Sequence, residues 1–97
     1  MEVKEFQLRC VELLKKWEKK RGVNPSAQDE LVHVVEEIGE LAREYVSRRE
    51  RKERYSRKEL ENAFGDVMIH LLRLADMEGL DMEQVVAAII KNEAPKD

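Results

Sequence analysis

Apolar residues recur every three or four positions along nearly the whole chain, and nowhere do they alternate as a half-buried strand requires. This period, punctuated by helix stop and start signals, commits the chain to an all-α fold. Phe6, Cys10, Leu13, Leu14 and Trp17 share helical spacing in a first helix over about 2–21. Gly22 is a natural left-handed stop, and Asn24-Pro25 leads to Ser26, which can cap a second helix with Asp29 three residues on. Leu31, Val34, Val35, Ile38, Leu41, Ala42 and Tyr45 form a broad apolar face on that helix. His33, Glu37, Glu40 and Glu44 fall on a separate narrow stripe at about 100° per residue. Beyond Val46 the apolar pattern gives way to a mixed-charge run, Ser47 to Tyr55, which either carries the helix into solvent or forms a connector.

Ser56 with Glu59 has the form of a capping box, and Leu60, Phe64, Val67, Met68, Leu71, Leu72, Leu74 and Ala75 supply the inward face of a third helix. Gly79 ends it. Asp81 with Gln84 opens a last helix through Val85, Val86, Ile89 and Ile90, and Pro95 closes the ordered chain. The expectation is one domain over 1–97, a four-helix bundle. A chain of 97 residues has little volume to enclose, so its core is expected to be completed by dimerisation.

Charged residues make up 40% and aromatics 5%, as suits helices with one apolar and one solvated face. A net charge of −3 argues against nucleic acid as the partner. The basic residues of the run (Arg48, Arg49, Arg51, Lys52, Arg54, Arg57 and Lys58) are diluted by Glu50, Glu53 and Glu59, and a solvated surface is expected there. Cys10 is the lone cysteine and has no activating base nearby in sequence, so it reads as a small core residue in a reducing cytoplasm. Charge in the first six residues and the lack of a run of about 20 apolar residues argue against a signal peptide and a membrane span. Trp17 and Phe6 have the spacing of core or interface residues.

The chemistry concentrates in Glu36, Glu37 and Glu40. On a helix the carboxylates of Glu37 and Glu40 project side by side and repel by a few tenths of a kcal/mol. Such a stripe is either a solvated face or half of a site for a hard divalent cation. Asp66, beside Gly65 on the third helix, is the other acid within reach if the second and third helices pack antiparallel. Three carboxylates in one cleft call for Mg²⁺, or Mn²⁺ in its place. Gly39 and Gly65 lie beside these acids, where they would allow close helix packing or close approach of a ligand. Zinc has no recognisable ligand pattern among Cys10, His33 and His70. His70, one turn beyond Asp66, is expected at the edge of the core or in solvent, with a role behind the metal ligands as the alternative.

Glu37-Ile-Gly-Glu40, within Glu36-Glu-Ile-Gly-Glu-Leu41, followed by Gly65-Asp66-Val67-Met68 and the tail Lys91-Asn92-Glu93, resembles the MazG-like nucleoside triphosphate pyrophosphohydrolases. That family is all-α and carries an E-x-x-E segment, a gap, then E-x-x-D. The similarity runs from about Leu31 to Glu93 and loosely includes the first helix. It implies Mg²⁺-dependent hydrolysis of a nucleoside triphosphate to the monophosphate and pyrophosphate, in a homodimer or dimer of dimers. By residue match, Glu37, Glu40 and Asp66 would be metal ligands, and Glu36 with Glu37 would serve the reaction, Glu36 either from behind the ligands or by orienting water. Lys91 and Asn92 would face the nucleotide. Two positions depart from the pattern: Ala63 stands where the second acidic pair has its Glu, and Ala88 stands where a basic residue is usual. The alternative is therefore a catalytically impaired relative, a helical dimer that binds nucleotide or a protein partner.

Overall fold

The computed structural model describes residues 1–93, and the expected stop at Pro95 lies outside them. Four helices follow one another: α1 (Val3–Arg21), α2 (Ala27–Glu50), α3 (Arg57–Met77) and α4 (Met82–Glu93). No strand occurs among the described residues, and no helix is long and apolar enough to cross a membrane.

The boundaries follow from local chemistry. Gly22 ends α1 at φ 68°, a left-handed conformation that costs glycine nothing, and its N–H and that of Val23 cap the carbonyls of Lys19 and Glu18. Ser26 Oγ accepts from Asp29 N–H at 3.1 Å while Asp29 accepts from Ser26 N–H at 2.9 Å, so Asp completes the box in place of Glu. These bonds hold the Asp29 carboxyl below its ordinary range. At α3 only half of the expected box forms, Ser56 Oγ accepting from Glu59 N–H at 3.3 Å. Asp81 accepts from Glu83 and Gln84 N–H to start α4. The charged run resolves into both of its readings in turn: α2 continues to Glu50, then a short 3-10 turn over Lys52–Arg54 leads to α3. Arg48 lies over the rings of Tyr45 and Tyr55 at 4.7 and 5.7 Å, tying the end of α2 to that turn.

α3 is the central helix, packed against α2 along one side and α1 along another. Glu30 near the start of α2 meets His70 near the end of α3, and Arg48 meets Tyr55, so the pair is antiparallel. α1 also runs antiparallel to α3. Arg73, largely buried, donates to both oxygens of Glu18 at 3.1 and 2.9 Å, and to Asp76 at 3.2 Å. Glu18 and Asp76 raise the Arg73 pKa, so the guanidinium stays charged. At the other end Gln7 donates to Leu80 C=O and accepts from Met82 N–H, both at 2.9 Å, and this fastens α4 to α1.

The inward faces differ from those the periodicity suggests. On α2 only Val34 of the expected apolar face is buried, while Leu31, Val35, Ile38, Ala42 and Tyr45 are exposed. On α3 Leu60, Ala63, Leu72 and Ala75 are buried, but Phe64, Met68 and Leu71 are exposed. Phe6 and Trp17 are exposed as well, and α4 buries no residue fully. Cys10 is buried as expected, and burial pushes its thiol pKa up. The physical reason is incomplete enclosure. The chain exposes 7814 Å², where a compact protein of 11.4 kDa would expose roughly 5,800 Å². Its radius of gyration is 16.1 Å, against about 12.5 Å expected for this length. Helical periodicity finds an apolar stripe but does not say whether the same chain covers it.

Candidate functional site

Seen from α2, the seam with α3 is built on a seven-residue step. Glu30, Glu37 and Glu44 project from one stripe of α2, and seven residues on an ideal helix return to within about 20° of the same direction. His70 meets both Glu30 and Glu37, Asp66 lies within range of Glu37, and Ala63 is buried a turn earlier on α3. Carboxylates thus occupy positions where a bundle would ordinarily place leucine. Glu30 is 2% exposed, the most buried large side chain of the protein. Burying a carboxylate without a partner costs several kcal/mol, and Glu30 has a partner: His70 Nδ1 lies 2.6 Å from its Oε1. Glu37 and Glu44 are less fortunate, because Glu37 Oε2 and Glu44 Oε1 are buried with no hydrogen-bond partner.

Glu37 sits at the centre of this arrangement. Its carboxyl pKa is raised, chiefly by desolvation and then by the charges of Glu40 and Asp66, with His70 opposing. The structure therefore brings Glu40 and Asp66 each within electrostatic range of Glu37, as the spacing and the antiparallel pairing suggest. Glu40 and Asp66 are exposed, and among the described residues no three acidic, histidine or cysteine side chains converge into a ready-made cation cage. Ligation would need Glu40 and Asp66 to turn toward Glu37, which exposed side chains do at small cost. The donor set suits Mg²⁺ or Mn²⁺. It consists of hard carboxylate oxygens, one of them already desolvated and unpaired, in mutual repulsion that a divalent cation would offset.

A cleft of about 760 Å³ opens beside these acids, between the end of α1, the 22–26 turn and the start of α2. Trp17, Val23, Pro25 and Val32 make its apolar part, and Glu37, Asp66, His33 and His70 its polar part. Its size suits a small organic ligand, and Glu18, Asp29 and Glu30 add further acids to its wall beside Arg21. Glu36 is exposed on the outer side of the cluster, 3.4 Å from His33 Nδ1. A Cβ added at Gly39 or Gly65 would meet nothing within 4 Å, so neither glycine serves a close helix contact inside this chain. Lys91 and Asn92 are exposed at the far end of α4, which packs on α1, and they do not line the cleft. Ala63, the position of the missing acid, is 7% exposed in the seam.

Two residues of this region escape sequence reading. Glu30 lies seven residues before Glu37, and that spacing was the available signal. Arg73, which neutralises Glu18 at the rim of the cleft, carried none.

Four helices thus carry crowded carboxylates beside an open cleft. The chain belongs to the MazG nucleotide pyrophosphohydrolase domain family, whose model matches residues 26–93. Neither the curated proteins nor the solved structures give a match.

Proposed function

We propose that the protein hydrolyses a nucleoside or deoxynucleoside triphosphate to the monophosphate and pyrophosphate, with Mg²⁺ (or Mn²⁺) held by Glu37, Glu40 and Asp66. The observation that carries this reading is Glu37 Oε2, a buried oxygen without a partner, in a carboxyl group crowded by Glu40 and Asp66 at the edge of the cleft. Bound there, the metal would neutralise phosphate oxygens and favour attack of water at the α-phosphorus. Glu36, exposed beside the cluster and next to His33, orients that water together with Glu37. The apolar end of the cleft receives the nucleoside. Lys91 and Asn92 reach the nucleotide from a second copy of the chain, since within one copy they lie away from the cleft. Clearing of nucleotide pools in the cytoplasm is the corresponding role.

The test is a panel of NTPs and dNTPs incubated with Mg²⁺, with pyrophosphate as the readout. At least one nucleotide should release pyrophosphate, and release should stop in chelator. Ala63, where the family has an acid, favours one second reading: an impaired relative that binds nucleotide without turnover. That reading gains if no pyrophosphate appears while a nucleotide still raises the melting temperature.

Ala63→Glu distinguishes the placement of the site. A Glu there enters an enclosed position a turn before Asp66, so it should lower the melting temperature in chelator. It should also raise Mg²⁺ affinity on the order of tenfold by adding a fourth charged ligand. Calorimetry showing unchanged or weaker affinity would move the metal away from this seam.

A further inference from the structure

We propose that Glu30 and His70 form a positioning pair that orients the Glu37 carboxylate for the metal; the inference rests on the metal reading above. Glu30 as a carboxylate can only accept, so His70 Nδ1 donates to it across 2.6 Å. That bond fixes the rotation of the ring. His33 stacks on the same ring with centroids 5.6 Å apart and planes 27° off parallel, which closes one of its faces. With Nδ1 committed, the only direction left for Nε2 is toward Glu37, whose Oε1 lies 4.0 Å away. At that distance there is no hydrogen bond, and the ring acts by occupying the space on the Oε1 side of Glu37. It is nevertheless selective between the two oxygens of Glu37: Oε1 faces the imidazole, while Oε2 is buried and unpaired. The carboxylate is thus turned with one oxygen toward a fixed ring and the other left for a cation.

The chain of contacts explains why a carboxylate is retained at the most enclosed large position in the protein. A buried ion pair is a poor way to stabilise a helix seam, since apolar residues of similar volume usually do as well or better. A group that holds a metal ligand in place is a different matter, and removing such a group typically weakens metal binding 10- to 100-fold. The family motif covers Glu37, Glu40 and Asp66, and neither Glu30 nor His70 belongs to it.

The experiment is calorimetric titration of the protein with Mn²⁺ alone, without nucleotide, alongside thermal melts. The double variant Glu30→Leu/His70→Leu replaces the pair with apolar side chains. It should melt at or above the wild-type temperature, yet bind Mn²⁺ about 10- to 100-fold more weakly. Glu30→Gln keeps an oxygen that can accept from Nδ1–H and should stay within a few-fold of wild type. Should the double variant not fold, Glu30→Gln/His70→Ala, which leaves no buried charge unpaired, carries the same expectation for Mn²⁺ while melting below wild type. Wild-type Mn²⁺ affinity in the folded double variant, or in Glu30→Gln/His70→Ala, overturns the inference and leaves the metal reading standing. So does a loss in Glu30→Gln as large as in the double variant. Failure of the wild-type protein to bind Mn²⁺ overturns both.

Discussion

Glu37→Gln should abolish Mg²⁺-dependent hydrolysis, a loss of more than about 100-fold, and should at the same time raise the melting temperature measured in chelator. The two effects have one cause. The Glu37 carboxyl pKa stands above its ordinary value of 4.5 because the group is desolvated and faces the charges of Glu40 and Asp66. The folded protein therefore holds a proton on Glu37 more tightly than the unfolded chain does. For a carboxyl shifted upward, the favourable contribution to stability is complete below the ordinary value and is lost as the pH climbs through the raised one. At neutral pH wild type bears the whole penalty, whereas glutamine, similar in shape and uncharged, bears none.

The difference in melting temperature between Glu37→Gln and wild type should accordingly be small at the acid end. It should grow as pH rises from about 4.5 and then level off. Saturating Mg²⁺ should reverse the order, raising the melting temperature of wild type through binding to the native state and leaving the variant unmoved. Melts across pH, with and without Mg²⁺, check every part of this. Coincident curves for the two proteins would remove Glu37 from the metal site, whatever the activity.

The parts of the fold legible in the sequence are those decided by a few neighbouring residues. Gly22, the Ser26–Asp29 box, Ser56 and Asp81 place the helix ends because a cap is a contact across three or four positions. The acids were legible for the same reason, since E-x-x-E states its geometry as soon as the segment is helical. What the sequence withheld depends on distant partners. Gln7 fastens α4 through groups 73 and 75 positions away. Glu30 has the composition of a solvated residue and becomes the most enclosed large side chain because His70 happens to stand opposite. Conversely, Val35 and Ile38 have the composition of core residues and remain exposed. Ala63 joins the two kinds of information: the resembled motif has an acid there, and the structure encloses the position.

A second large effect is expected from Ile38→Asp combined with Phe64→Asp, which should convert a dimer into monomers. Leu31, Val35, Ile38 and Tyr45 on α2, with Phe64, Met68 and Leu71 on α3, are all at least 41% exposed. Leu31, Ile38 and Tyr45, like Phe64 and Leu71, lie about 100° round from the seam in the same sense, and Val35 and Met68 about 160°. Because the helices are antiparallel, both stripes come to one side of the pair, and α1 lies elsewhere on α3. The surface in excess of a compact chain, roughly 2,000 Å², is of the size that obligate dimers bury. We therefore propose that a second copy covers this face, giving a bundle of α2 and α3 from each.

Twofold symmetry would place each new aspartate in the interface twice. Every large apolar side chain withdrawn from it forfeits about 1.5–3 kcal/mol, so dissociation should strengthen by at least about 1000-fold. Light scattering should then report a monomer at concentrations where wild type is dimeric, and wild type should melt at a temperature that rises with its concentration. Wild type monomeric at those concentrations would refute the dimer. Hydrolysis should vanish with the partner, because Lys91 and Asn92 do not line the cleft of their own chain. A monomeric variant that still released pyrophosphate would show that neither residue takes part in the reaction.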